Sequence, residues 1–244
     1  MDTTAVPDRL YFRQLLAGRD FAVGDTIATQ MANYVYLIGD RDTAQAVVVD
    51  PAYRVDDIVA AVEGDGLALT GALVTHHHPD HVGGDFMGHS IEGLRDLLET
   101  RSVKIHVHAD EAEWVRRTAG VSAGDLAVHS SGEVIDVGAV AIKVLHTPGH
   151  TPGSQCFLVD GMLVSGDTLF LDGCGRTDFP GSDPAAMYDS LQRLASLPDA
   201  TAVFPGHHYS PESVATMAAV KDRNFVYKPK SKTQWLQMFG PRGR

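Results

Sequence analysis

The sequence predicts an α/β (α+β) protein built as a four-layer αββα sandwich, two sheets packed face to face with helices outside. Three observations carry this expectation. A strand-rich stretch with flanking helical patterns occurs once in each half of the chain. Several apolar strands run straight into turns bearing histidine or aspartate, the position where open sheets place their sites. The chain has 244 residues, 44% of them apolar and 21% charged, which suits one large core or two intimate halves. Residues 1–225 read as a single domain of two β-rich halves. Residues 226–244 show no strong period and stay unassigned as a C-terminal tail. No sequence repeat marks the halves, so the division rests on pattern alone.

Tyr11 to Leu16 and Met31 to Ile38 alternate and are rich in β-formers; Ala46 to Val49 is a buried strand halted at Asp50-Pro51. Val55, Ile58, Val59 and Val62 recur at helical spacing and end at Gly64. Leu69 to Val74 is again a buried strand. Ser90 to Thr100 is helical by period, with Ile91, Leu94, Leu97 and Leu98 on one face. Ile105 to Val107 is a short strand. Asp110 to Arg117 is a helix with Asp110 as N-cap and Glu113 three residues on. Val134 to Val137, Val140 to Leu145, Gln155 to Val159 and Met162 to Val164 are strands. Asp183 caps a helix running to Leu197, with Pro184 in its first position. Thr201 to Phe204 is a strand, and Pro211 to Lys221 is read as the last helix.

The formal net charge of −11 argues against a nucleic-acid partner, since no basic stripe exists. Positive charge concentrates only in the tail, at Lys228, Lys230, Lys232, Arg242 and Arg244. Asp2 and Asp8 stand where a secretory leader needs positive charge, and no apolar run approaches the roughly 18 residues of a membrane span. With two cysteines there is no disulfide framework, and a reducing, cytoplasmic setting is the expectation. Cys156 reads as core, and Cys174, between two glycines, as a small residue in a tight turn.

The chemistry concentrates in Thr75-His76-His77-His78-Pro79-Asp80-His81, directly after the strand ending at Val74. Pro79 keeps the histidines out of a regular ladder, so they belong to a loop. Imidazole and carboxylate together suit zinc, iron or manganese. Three further strand ends carry such residues: His150 between two Pro-Gly turns, Asp167 in Ser165-Gly166-Asp167-Thr168, and His207 in Pro205-Gly206-His207-His208-Tyr209. His77 falls out of alternation with His76 and His78 and is given a supporting or surface role.

His-x-His-x-Asp-His followed by isolated His, Asp and His resembles the metallo-β-lactamase superfamily over roughly residues 10–225. The resemblance implies one metal on His76, His78 and His150, a second on Asp80, His81 and His207, and Asp167 bridging them. Two cations about 3.5–4 Å apart hold a shared hydroxide near neutral pH and polarise the attacked carbonyl; Asp80 and Asp167 are then the catalytic carboxylates. Gly166 to Phe170, leading into Gly173-Cys174-Gly175-Arg176, is similar to glyoxalase II (hydroxyacylglutathione hydrolase) and to the persulfide dioxygenases. It implies Arg176 and Tyr209 as substrate-binding residues. Arg176-Thr177-Asp178-Phe179 continues in the manner of the dioxygenases, and the basic residues that glyoxalase II sets against glutathione carboxylates have only Lys230 and Lys232 as compositional counterparts. Phe86 to Ser102 is extra relative to both groups, a surface helix, a lid or an oligomer contact.

The leading expectation is therefore a thioester hydrolase with two zinc ions, or mixed zinc and iron, acting on a small-molecule thiol ester. The alternatives are a persulfide dioxygenase with one ferrous iron on His76, His150 and Asp167, and a lactone or other ester hydrolase. A homo-oligomer is compatible with either; a membrane or nucleic-acid partner is not expected.

Overall fold

The computed structural model describes residues 9–240; Asp2, Asp8, Arg242 and Arg244 lie outside the described residues. In the first half the elements are β1 (Leu10–Leu16), α1 (Thr26–Met31), β2 (Tyr34–Asp40), β3 (Gln45–Val49), α2 (Val55–Gly64), β4 (Ala68–Leu73) and α3 (Pro79–Val82). A small hairpin follows, β5 (Gly84–Phe86) and β6 (His89–Ile91), then α4 (Leu94–Thr100), β7 (Lys104–His108), α5 (Ala112–Ala119) and β8 (Leu126–His129). The second half holds β9 (Val134–Val137), β10 (Val140–His146), β11 (Gln155–Val159), β12 (Met162–Gly166), α6 (Pro184–Ala195) and β13 (Ala202–Pro205). It closes with β14 (Ala215–Thr216), α7 (Met217–Arg223) and α8 (Lys232–Phe239).

The strands form two six-stranded sheets, ordered β1-β2-β3-β4-β7-β8 and β14-β13-β12-β11-β10-β9. Three apolar clusters define the four layers. Tyr34, Tyr36, Ile38, Val47 and Val49 of the first sheet meet Ile142, Val144, Phe157 and Val164 of the second. Their alternation partners Val35, Leu37 and Val48 point the other way, onto Ile58 and Val62 of α2 and Leu94 and Leu97 of α4. Leu163 and Val203 pack outward against Met187, Leu191, Met217 and Trp235 of α6, α7 and α8. Both faces of each sheet are thus covered, which is why the central strands read as unbroken apolar runs. Among the described residues no helix is long and apolar enough to cross a membrane.

The structure corrects several expected elements. Met31 ends α1 instead of starting a strand, because Asp25 caps that helix by accepting from the amides of Ile27 and Ala28. Ser90 and Ile91 belong to the hairpin, so the helix begins only at Leu94. Asp110 is not a cap: α5 starts after Glu111, whose carboxylate is committed elsewhere. The helix expected from Pro211 starts at Met217, capped by Thr216. Strand β8 went unforeseen because its residues are only half-buried and lack clean alternation. In the unassigned tail Ser231 caps α8, whose Trp235 is fully buried and donates its indole N–H to Pro184 O at 2.8 Å.

Candidate metal centre

The four motif loops meet at one end of the sandwich. The β4–α3 loop brings His76, His78, Asp80 and His81; the loop after β10 brings His150; the end of β12 brings Asp167; the end of β13 brings His207. His76, His78 and His150 place ligand-type atoms within 4.8 Å of one another, and so do Asp80, His81 and His207. In the first group His78 Nδ1 stands 3.1 Å from His76 Nε2 and 3.0 Å from His150 Nε2. In the second, His81 Nε2 and His207 Nε2 are 3.2 Å apart, each 3.5 Å from Asp80 Oδ2. Asp167 lies between the groups. Its Oδ2 is 3.6 Å from His150 Nε2, and its Oδ1 is 3.5 Å from His81 Nε2 and 3.4 Å from His207 Nε2.

Most of the imidazoles show one nitrogen to this centre and tie the other to a fixed partner. His150 Nδ1 donates to Arg176 O at 2.7 Å, and His207 Nδ1 to Met31 O at 2.8 Å. His81 Nδ1 lies 2.9 Å from Asp50 Oδ2, and His76 Nδ1 lies 3.0 Å from Thr75 Oγ1. Such outer partners set the tautomer and the ring plane of a metal-binding histidine. The donor chemistry fits a cation well. Ring nitrogens converge on one another and on the carboxylates of Asp80 and Asp167, and buried Asp167 Oδ1 has no hydrogen-bond partner, an arrangement that costs free energy unless positive charge balances it.

Electrostatics divides the histidines. Burial, reinforced by the neighbouring imidazoles, holds His76 well below the usual range and His78 at about 3, so both stay neutral. Burial also acts on His81, but Asp80, Asp167 and Asp50 outweigh it and lift it to about 10. Burial opposes ionisation of Asp167 too; His207 and His81 overcome that and hold its carboxyl well below the carboxylate range. A cation held by these residues would take over the balancing role that the imidazolium charge of His81 fills.

Close backbone approach shapes the centre at two glycines. A Cβ on Gly175 would lie 2.7 Å from His150 Nδ1, and one on Gly206 would collide with Asp167 Oδ1.

Three supporting residues lay outside the sequence reading. Asp50, at the end of β3, accepts from Thr75 N at 2.7 Å and Thr75 Oγ1 at 2.6 Å besides facing His81. Asn33 donates to Asp80 Oδ2 at 3.1 Å and accepts from Tyr53 Oη at 2.9 Å. Glu111 is fully buried and accepts from His77 N and Gly153 N at 2.8 and 2.7 Å. Only Asp50 carried a signal, a carboxylate between a buried strand and a proline. His77 is not a surface residue: its Nδ1 contacts Glu111 Oε1 at 2.6 Å and its ring stacks on Trp114.

A cavity of about 700 Å³ opens over the centre. His78, Asp80, His150, Asp167 and His207 lie on its floor, with Tyr209, Phe170, Trp114, Phe179 and the hairpin residues Phe86 and Met87 around it. Tyr209 stacks on His207, with ring centroids 4.6 Å apart. Arg176 lines the cavity but pairs with Asp178 through Nε and Nη2, both at 2.8 Å. Lys230 and Lys232 do not line it, and Lys232 pairs with Asp189 at 2.6 Å. Cys174 lines the cavity, while Cys156 is buried in the third cluster; both are free thiols.

The fold and this constellation define a protein of the αββα class with histidine–aspartate clusters suited to metal binding. The metallo-beta-lactamase superfamily profile matches residues 28–207, and the chain belongs to that superfamily. It is 34% identical over 209 residues to a hydroxyacylglutathione hydrolase of Synechococcus, covering 82% of this chain and 74% of that protein. It is 41% identical over 178 residues to the hydroxyacylglutathione hydrolase of Alkalilimnicola ehrlichii, covering 73% of this chain and 62% of that one. The chain thus spans about three fifths to three quarters of these relatives. The crystal structure of ETHE1 from Myxococcus xanthus superposes with a TM-score of 0.77 at 31% identity, covering 95% of this chain and 90% of that one.

Proposed function

We propose that this protein is a thioester hydrolase with two metal ions. His76, His78 and His150 would hold one ion, Asp80, His81 and His207 the other, and Asp167 both. Zinc is the favoured metal, with mixed zinc and iron as the variant the same donors accept. When bound, such a pair supplies a Lewis acid and water deprotonated near neutral pH. The observation that carries the reading is that two donor triads flank one carboxylate, Asp167, with His150 of the first facing its Oδ2 and His81 and His207 of the second facing its Oδ1.

The chain's own residues supply position and polarity. Asn33 fixes Asp80, Asp50 fixes His81, and Glu111 braces the loops of His78 and His150. In the reaction the C–S bond breaks as water's oxygen bonds the acyl carbon, giving carboxylate, thiol and a proton. A thiol has a reference pKa near 8.5 and leaves readily as thiolate, so no general acid is required. Tyr209, whose phenol is held protonated by burial and the nearby carboxylates, offers a donor at the rim, and Arg176 a cation once it swings from Asp178. The similarity to hydroxyacylglutathione hydrolases supports the hydrolytic reading. The free thiols of Cys156 and Cys174 suit a reducing, cytoplasmic setting.

The second reading, a ferrous persulfide dioxygenase on His76, His150 and Asp167, is favoured by Arg176-Thr177-Asp178-Phe179. Elemental analysis of protein purified without added metal separates the two. Near two equivalents of zinc with thioester turnover supports the hydrolase. Near one equivalent of iron, with oxygen uptake on a persulfide, replaces it. Two equivalents of zinc without thioester turnover above background overturns it.

A further inference from the structure

We infer that the substrate's variable arm is apolar, an aliphatic or aryl acyl group, and that recognition does not run through carboxylates on the thiol. The inference rests on the thioester-hydrolase reading and names the substrate class of that site.

Three observations support it. First, among the described residues Arg176 is the one Lys or Arg side chain lining the cavity, and it is exposed, paired with Asp178 through Nε and Nη2 and laid over Phe179 with Cζ 4.3 Å from the ring centroid. A carboxylate-rich thiol such as glutathione needs more than one such partner, and the net charge of −11 repels it at long range. Second, two aromatic rings, Trp114 and Phe179, stand beside the first triad. Trp114 stacks on His77 with centroids 4.8 Å apart, and Phe179 stands 5.3 Å from the His78 ring and 6.2 Å from that of His150. Third, Met87 at the tip of the β5–β6 hairpin is 87% exposed at the cavity mouth, and Phe179 is also partly exposed. Apolar side chains at the rim of a cavity give an apolar chain a surface to bury against. The β5–β6 hairpin, through Phe86 and Met87, therefore contributes an apolar edge to the cavity.

The test uses the zinc-loaded enzyme and acyl thioesters of N-acetylcysteamine, an uncharged thiol, from acetyl to hexanoyl, with S-D-lactoylglutathione as the charged competitor. Burial of each methylene should raise kcat/KM about fourfold, roughly two-hundredfold from acetyl to hexanoyl. Met87→Ser and Phe179→Ala should flatten that slope, lowering the hexanoyl value more than the acetyl value. In parallel, uncleavable S-alkyl thioethers of N-acetylcysteamine are titrated against Trp114 fluorescence in metal-free protein, with Trp114→Phe assigning the signal; Kd should fall as the alkyl chain lengthens. A flat chain-length series, or S-D-lactoylglutathione turned over tenfold better than the hexanoyl ester, overturns the inference and leaves the hydrolase intact. Absence of turnover on every thioester overturns the hydrolase reading, and the thioether series then decides the apolar arm on its own.

Discussion

Glu111 is the residue whose removal should be felt furthest from its own position. It sits just ahead of α5 with no exposure to solvent. Its Oε1 holds the amide and the Nδ1 of His77, inside the histidine loop, and its Oε2 holds the amide of Gly153, inside the loop of His150. One carboxylate therefore braces two chain segments that each deliver ligand-type residues, 34 and 42 positions away in sequence. Replacing it by alanine strands three donors in a buried space. Hydrogen bonds to charged groups contribute about 1.5–3 kcal/mol each, and buried unsatisfied donors cost about 1–3 kcal/mol. Because the three share one acceptor group and the cavity relaxes, Glu111→Ala should destabilise by about 3–5 kcal/mol. Glu111→Gln keeps shape and one acceptor but turns an amide N–H toward another donor, and should cost about 1–3 kcal/mol. Urea unfolding at pH 7.5 with and without zinc reads both quantities, since zinc affinity should fall roughly 10- to 100-fold when ligand loops lose such support. If Glu111→Gln keeps its urea midpoint and a zinc affinity within twofold of the parent, the bracing argument is wrong.

Other consequences follow from the same geometry. Asp50→Asn should weaken the metal bound beside His81 by roughly 10- to 100-fold while sparing the other, because Asp50 fixes His81 from behind; stepwise chelator titration would show two unequal release steps. Burial pushes the Cys156 thiol up to about 11, so it should resist DTNB at pH 8 and react only with the rate of unfolding. His106 is held down at about 4 by burial and by His129. The folded state therefore refuses a proton that the unfolded chain accepts below about 6.5, and this contribution to stability is present above 6.5 and lost as pH falls toward 4. After allowing for its partial exposure the loss is about 1–2 kcal/mol, and His106→Asn should flatten that part of the urea-midpoint profile between pH 7 and 4.5.

What the sequence determines by itself is local. Four of the strands entering the site, at Val49, Leu73, Val164 and Phe204, announce themselves as apolar runs because both sheet faces are covered. The cap at Asp183 follows from a side chain acting within one turn of itself, and the helix at Val55 from apolar residues recurring on one face over two turns. The donor residues are legible for a similar reason: imidazole and carboxylate types cluster at strand ends, with a spacing that little besides metal binding calls for. Tertiary structure decides everything that joins distant segments. Asn33 reaches Asp80 across 47 positions, Asp50 reaches His81 across 31, and Trp235 seats on Pro184 across 51. No periodicity encodes such pairs, since each partner's own neighbourhood looks ordinary. Met31 reads as strand because its side chain fits the alternation, yet its backbone belongs to α1, and its carbonyl is needed by His207. The hydrophobicity of the tail helix is likewise too sparse to show a period until α6 supplies the surface that buries Trp235. A hydrogen bond or a buried ring is a property of two segments at once, and only the folded chain brings the second one into place.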